Sequence, residues 1–251
     1  MFSQVQLFEF TSIQLMLAAL VFAWTGFVRS GLGFGGAALG LPLMLFILDQ
    51  PLFWLPVIGT HLLIFTGWTL RKRLKNVDWT YLKKSFVYIL PAKLAGVFGL
   101  LNLPNNWLIM MIYSITMLYA LLWVFNWHIR SAKGWTDKVL LVLGGYVSGT
   151  SLTGAPLIVA VFMQQVHKSR LRDTLFVLWF ILVTVKMSTF VAFGVDLHTG
   201  SALLLVPVAA IGHVIGLKTH DYIMQNDTRF KRIIGSVLLL ICVLGFSSLL
   251  S

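Results

Sequence analysis

Charged residues are scarce in this sequence, and acidic residues are the scarcest of them. Only 11% of its 251 residues are charged, with 8 acidic side chains against 19 Lys and Arg. A soluble domain carries roughly a quarter charged residues, so this composition excludes a soluble globular fold. Apolar runs at 52–70, 106–124 and 175–193 approach the about 20 residues that cross a bilayer as a helix. The sequence therefore predicts an all-α polytopic membrane protein.

Cysteine is almost absent as well, because Cys242 is the single one. One cysteine excludes a disulfide framework and a thiolate-held metal site. The sequence also has no CxxC or HExxH motif and no paired carboxylates in its apolar runs. We therefore expect no catalytic residue, no metal site and no cofactor. A membrane enzyme or assembly factor is the weakest function class, since His61 and His213 alone make a poor metal site.

The apolar runs contain no acidic residue, although they do contain cations. All eight Asp and Glu lie in or beside predicted loops, whereas five potential cations lie within predicted spans: Arg29, His61, Lys93, Lys186 and His213. A charge at the centre of a membrane helix costs about 2.5–3.5 kcal/mol on insertion scales, so each needs a cavity or a partner. This pattern favours an anionic ligand and disfavours a carboxylate relay for protons or sodium. Structural alternatives stay open, with Arg29 capping a helix end and both histidines in ordinary interior positions.

Basic residues cluster in four connecting segments, at 71–84, 130–138, 168–172 and 218–232. The other connections, and residues 1–28, contain no Lys or Arg. The positive-inside rule makes the four basic segments cytoplasmic and places both termini outside. The net charge of +11 is then an orientation signal, and we expect the lipid bilayer, and no nucleic acid, as a partner.

Alternation between the two sides of the membrane predicts six crossing helices and two hairpins. A single crossing between 139 and 166 would place segment 168–172 outside, whereas a re-entrant hairpin broken at 149–154 returns the chain to the cytoplasm. The predicted hairpins span 13–48 and 139–166, and the predicted helices span 51–70, 85–103, 106–126, 173–193, 200–218 and 231–250. Tilted full crossings in place of re-entrant hairpins stay open. Residues 1–127 and 128–251 then form two repeats of opposite orientation, each one hairpin plus three helices.

Two glycine-rich stretches mark the predicted breaks, SGLGFGGAALGLP at 30–42 and SGTSLTGAPL at 148–157. An offset of 118 residues aligns Gly31 with Gly149, and the stretches PAKLAG and PVAAIG align at an offset of 116. Many transporters are built from such inverted repeats, with broken helices meeting at the bilayer midplane. The sequence therefore predicts a binding site between the two hairpin tips.

Irregular backbone at membrane depth is tolerated where it is buried in protein or lines a cavity. A half-helix beginning near Ala37 or Ala155 offers unpaired N–H groups and a positive dipole end, which suit an anion. Close helix packing by small residues is the alternative explanation for these glycines. The candidate substrate-binding residues are Gly31, Gly33, Gly35, Gly36, Gly149, Ser151, Thr153, Gly154, Lys93, Lys186, Arg29, His61 and His213.

The stretches GFVRSGLGFGGAALGLP and GGYVSGTSLTGAP resemble the paired signatures of the TauE/SafE sulfite and organosulfonate exporter family, also described as toluenesulfonate-uptake-type permeases. The second stretch departs from the family pattern, which often has Gly-Gly-Pro where this chain has Gly154-Ala155-Pro156. The resemblance implies a secondary transporter of small sulfur-containing anions, such as sulfite or organosulfonates, in a bacterial inner membrane. An anion channel stays open as the alternative function, as does a homodimer.

Overall fold

The computed structural model describes residues 7–32, 35–71, 73–127, 129, 134–225 and 227–250. Over these residues the chain is helical and contains no strand. The ten α-helices of the described part are α1 (Ser12–Leu32), α2 (Gly36–Ile47), α3 (Pro51–Leu70), α4 (Trp79–Asn102), α5 (Asn105–Val124), α6 (Trp135–Ser151), α7 (Ala155–Gln165), α8 (Lys168–Ala192), α9 (Thr199–Gln225) and α10 (Asp227–Leu250).

Seven of these helices are long and apolar enough to cross a membrane, namely α1, α3, α4, α5, α8, α9 and α10. The helices α2 and α7 are apolar but have only 12 and 11 residues. The prediction of an all-α polytopic membrane protein is confirmed. The opposite orientation of its two halves stays a prediction.

Local polar side chains explain where α1 and α4 begin. Thr11 and Gln14 form a reciprocal capping box at the start of α1, with Thr11 N donating to Gln14 Oε1 at 3.0 Å. The carboxylate of Asp78 accepts the N–H of Tyr81 at 2.9 Å and satisfies one orphan donor in the first turn of α4. This cap explains why α4 begins at Trp79, earlier than the predicted start at 85.

The helices form two compact units, and each unit combines segments from both halves of the sequence. Unit 1 consists of Met1–Leu55, Leu103–His128 and His198–Ser251, and unit 2 consists of Pro56–Asn102 and Ile129–Leu197. Unit 1 therefore contains α1, α2, α5, α9 and α10. Unit 2 contains α4, α6, α7, α8 and most of α3.

Within unit 1, α1 packs against α9 with backbone touching backbone. A methyl group at Gly26 would contact the carbonyl oxygen of Ala209, and one at Gly212 would contact the carbonyl oxygen of Ala23. Small residues let membrane helices approach this closely. A separate apolar core in this unit joins the α1–α2 hairpin to α5, α9 and α10, with Val28, Leu39 and other buried residues.

Within unit 2, α4 packs against α6 in the same manner. A methyl group at Gly96 would contact the carbonyl oxygen of Tyr146, and one at Gly145 would contact that of Ile89. The pairs α1–α9 and α4–α6 correspond under the predicted repeat, which aligns α1 with α6 and α4 with α9. Each pair buries one half of a hairpin against a long helix from the other half of the sequence.

Candidate functional site

The second hairpin is broken in unit 2 between α6 and α7, where the sequence predicted it. The helix α6 ends at Ser151, and Leu152 has a left-handed backbone with φ 59°. A non-glycine residue rarely adopts this conformation outside a turn. The chain then re-enters a helix at Ala155, with Gly154 as N-cap and Pro156 in the first turn, where the missing N–H of proline costs little.

Two lysine side chains occupy the carbonyl end of α6. Lys93 Nζ on α4 donates to Ser148 O at 3.2 Å and to Ser148 Oγ at 3.0 Å. Lys186 Nζ on α8 donates to Gly149 O at 2.7 Å and to Thr150 O at 3.1 Å. The last four carbonyls of a helix lack intrahelical partners, so the two ammonium groups cap the broken half-helix.

These ammonium groups are withdrawn from water and have no acidic partner. The exposed fraction of Lys93 is 0% and that of Lys186 is 1%. Within the residues described, no carboxylate forms an ion pair with either lysine. Their contacts are the α6 oxygens and, for Lys186, the ring of Phe190 with its centroid 5.4 Å from Nζ. Burial of an ion without a counter-ion is costly, so these amines keep their protons best with oxygen acceptors or an anion beside them.

The hydroxyl groups at the break bond mainly to each other and to α6. Ser151 Oγ lies 2.6 Å from Thr153 Oγ1 and donates to Val147 O at 3.1 Å. The Ser151 proton is thus directed at the carbonyl, and the Thr153 proton at Ser151. Thr150 Oγ1 also donates to Val147 O, at 3.1 Å. All three hydroxyl-bearing residues are fully buried, and they stiffen the end of α6.

The glycines of this break touch the protein's own backbone. A methyl group at Gly149 would contact the carbonyl oxygen of Lys93 and lie 2.9 Å from the Cα of Gly96. One at Gly154 would contact the carbonyl oxygen of Gly144 and lie 2.7 Å from the N of Ser148. This geometry favours the packing explanation for Gly149 and Gly154, while direct ligand contact at them stays a prediction.

The first hairpin is broken in unit 1, and its α2 begins at Gly36, next to the predicted Ala37. Gly33 lies outside the described residues. Gly35 has φ 83°, a left-handed conformation that glycine adopts without strain. Apart from its chain neighbours, no described residue has an atom within 4 Å of the place of its missing Cβ. A methyl group at Gly36, in contrast, would lie 2.9 Å from Thr25 O and 3.1 Å from Arg29 Cβ.

A histidine that the sequence reasoning missed caps the end of α1. His220 Nδ1 on α9 lies 2.6 Å from the carbonyl oxygen of Gly31. Ser30 Oγ donates to His213 O at 2.8 Å, and Arg29 lies buried in the last turn of α1. His220 lies beyond the end of the predicted helix 200–218, in the basic segment 218–232. The adjacency of Gly31 and His220, far apart in sequence, has no local sequence signal.

Comparison with known protein families shows which family this chain belongs to. The sequence model described as Sulfite exporter TauE/SafE matches residues 17–244. The chain belongs to this family. Its members are membrane transporters, and the protein is accordingly a multi-pass membrane protein. No curated protein and no solved structure gives a significant match.

The structure of this TauE/SafE family member sorts the predicted site residues into two groups. The break in unit 2 brings together Lys93, Lys186, Gly149, Ser151, Thr153 and Gly154, and adds Ser148 and Thr150. The break in unit 1 contains Arg29, Gly31, Gly35 and Gly36, with His213 joined through its carbonyl oxygen. His61 lies on α3 in unit 2, buried, with its ring 6.1 Å from that of Phe65. Ser148 could have been found, since it aligns with Ser30 in the repeat.

Proposed function

We propose that the protein is a secondary transporter of small sulfur-containing anions, such as sulfite or organosulfonates, and that the break in unit 2 binds the anion. One observation carries this proposal: two fully buried ammonium groups, Lys93 and Lys186, meet at one helix end without a carboxylate partner in the described residues. Membership of the sulfite exporter TauE/SafE family supports the substrate class.

The hydrogen bonds at the break leave donors for an anion. An ammonium group has three donors, and Lys93 and Lys186 each direct two hydrogen bonds at oxygens of α6. The N-terminus of α7 has no side-chain cap, so its first N–H groups and positive dipole end are further attractions for negative charge. Sulfite and sulfonates present several oxygens that could accept these donors together.

The burial of both lysines favours a transporter over a channel. An ion in a channel must enter and leave through a continuous pathway of weak sites, whereas here the candidate ligands are shut off from water. A site that opens to one side at a time fits alternating access around a fixed binding position. We further propose that the protein lies in a bacterial inner membrane, with its basic loops cytoplasmic and both termini outside.

Counterflow in proteoliposomes tests the proposal. Vesicles loaded with unlabelled sulfite or sulfoacetate should take up the labelled anion against its gradient, with a saturable rate, because a carrier exchanges bound substrate across the membrane. Lys93→Met should reduce the rate strongly. Lys138→Met is the matched control, because it removes an exposed lysine of α6 and should leave the rate unchanged. Flux without saturation or counterflow would indicate a channel, and equal loss in both variants would remove Lys93 from the site.

A further inference from the structure

The break in unit 2 holds more basic groups than one monovalent anion can pair with. Lys93 and Lys186 each carry one positive charge when an anion beside them keeps them protonated. The carbonyl end of α6 contributes about −0.5 and the N–H end of α7 about +0.5, so the two helix ends cancel. The helix rise of 1.5 Å per residue places Asp173 about 20 Å from Lys186 along α8, and Asp137 about 16 Å from the lysine-bound end of α6. Within the described residues, no carboxylate forms an ion pair with Lys93 or Lys186.

The amines of Lys93 and Lys186 belong to one binding site rather than to two. Their acceptors are the carbonyls of Ser148, Gly149 and Thr150, three consecutive residues in the last turn of α6. Each ammonium directs two hydrogen bonds at these residues and has a third donor. One anion beside this turn can therefore accept a hydrogen bond from both lysines.

The corresponding position of unit 1 indicates that the fold does not require the side chain of Lys93. In the alignment of PAKLAG with PVAAIG, Ala209 stands where unit 2 has Lys93. The carbonyl oxygen of Ala209 packs against Gly26 of α1, and that of Lys93 packs against Gly149 of α6. The same close helix contact thus forms with and without the lysine, and its side chain is left for another task.

We propose that the site selects divalent anions over monovalent anions of the same shape. This inference rests on the proposed function and narrows its substrate class to sulfur oxyanions and sulfonates that carry two negative charges. A divalent anion pairs with both lysines in their charged form. A monovalent anion pairs with one, and the second lysine then either stays charged at a high cost or loses its proton and with it the charge attraction to the anion. Monovalent sulfonates and zwitterionic aminosulfonates are then poor ligands.

Two matched pairs of anions test this selectivity on the purified, lipid-reconstituted protein. Sulfate and methanesulfonate have nearly the same shape but differ by one charge, as do sulfoacetate and 2-hydroxyethanesulfonate. Titration calorimetry should give at least a tenfold lower Kd for the divalent member of a pair that binds, equivalent to about 1.4 kcal/mol. Equal affinity within the pairs, or tighter binding of the monovalent member, would overturn the inference and leave the proposed function intact. If none of the four anions and no sulfite binds, both the selectivity inference and the proposed function are wrong.

Variants of Lys93 give a second, independent readout. Lys93→Met removes one charge and should reduce the preference for the divalent anion to less than threefold, while Lys93→Arg keeps the charge and should retain a preference. The ratio of two Kd values does not depend on the fraction of protein that is folded, so partial misfolding does not imitate the effect. An unchanged ratio in Lys93→Met would overturn the inference. If that variant cannot be purified, the wild-type ratios decide alone.

Discussion

The two buried lysines should differ in their contribution to stability, although both are fully buried cations. Lys186 is bonded to Gly149 O and Thr150 O, and no backbone N–H in the described residues donates to either oxygen. Lys93 is bonded to Ser148 O, which also accepts the N–H of Leu152 at 3.2 Å. Removing Lys186 therefore orphans two carbonyls, whereas removing Lys93 leaves its backbone acceptor with a partner.

The magnitude follows from comparing Lys186→Met with Lys93→Met. Each substitution keeps an apolar stem of similar length and removes one buried charge, so the relief of desolvation largely cancels in the difference between them. The Ser148 hydroxyl that Lys93→Met releases can turn to a carbonyl of its own helix, so the remaining difference is two unsatisfied buried carbonyls, at about 1–3 kcal/mol each. Loss of the Lys186 contact with the Phe190 ring acts in the same direction. Lys186→Met should therefore be less stable than Lys93→Met by about 2–6 kcal/mol.

Reversible unfolding of both variants in mixed micelles, followed by circular dichroism, measures this difference. Lys83→Met controls for loss of an exposed lysine of α4 and should resemble the wild type, since surface substitutions usually change stability by less than about 0.5 kcal/mol. Equal stabilities of the two buried variants, or a less stable Lys93→Met, would refute the assignment of Lys186 as the cap of α6.

Two further predictions concern packing and orientation. Gly96→Ala should separate α4 from α6 and destabilise the protein by about 1–3 kcal/mol, the usual cost of overpacking. Gly99→Ala is the control and should be neutral or stabilising in the same unfolding assay, because its new methyl would meet one side-chain oxygen at 3.5 Å. Similar changes in stability for both variants would contradict the packing role of Gly96. Single cysteines at Asn106 and Thr199, in a background without the native cysteine, should react with an impermeant maleimide on intact cells, and one at Ser169 only after lysis. Labelling of the cysteine at Ser169 on intact cells would contradict the predicted topology.

The breaks in the hairpins could be predicted from the sequence because their causes are local. Closely spaced glycines weaken a helix and a proline fits best in the first turn of a helix, so α7 begins at Ala155 and α2 at Gly36, at or beside the expected positions. The cationic character of the site was also visible, since Lys93 and Lys186 stand in apolar runs that contain no acid.

The partners of these groups could not be predicted, because they come from distant parts of the chain. The acceptors of Lys93 lie 55 residues away, and the oxygen capped by His220 lies 189 residues away. The role of Gly149 is likewise decided by the backbone of α4 against which it packs. For the same reason the sequence halves do not coincide with the compact units, since α9 packs on α1 and α4 packs on α6.

The pairing of α1 with α9 also sets the order of events during synthesis. Unit 2 ends at Leu197, so all of its helices have been made before α9 begins at Thr199. At translation rates of roughly 5–20 residues per second, α1 stays in the bilayer for about 10–40 s before α9 is complete. Throughout this interval the glycine face of α1, at Ala23 and Gly26, is without its final neighbour. The nascent chain therefore depends on lipid, the insertion machinery or a chaperone to cover that face.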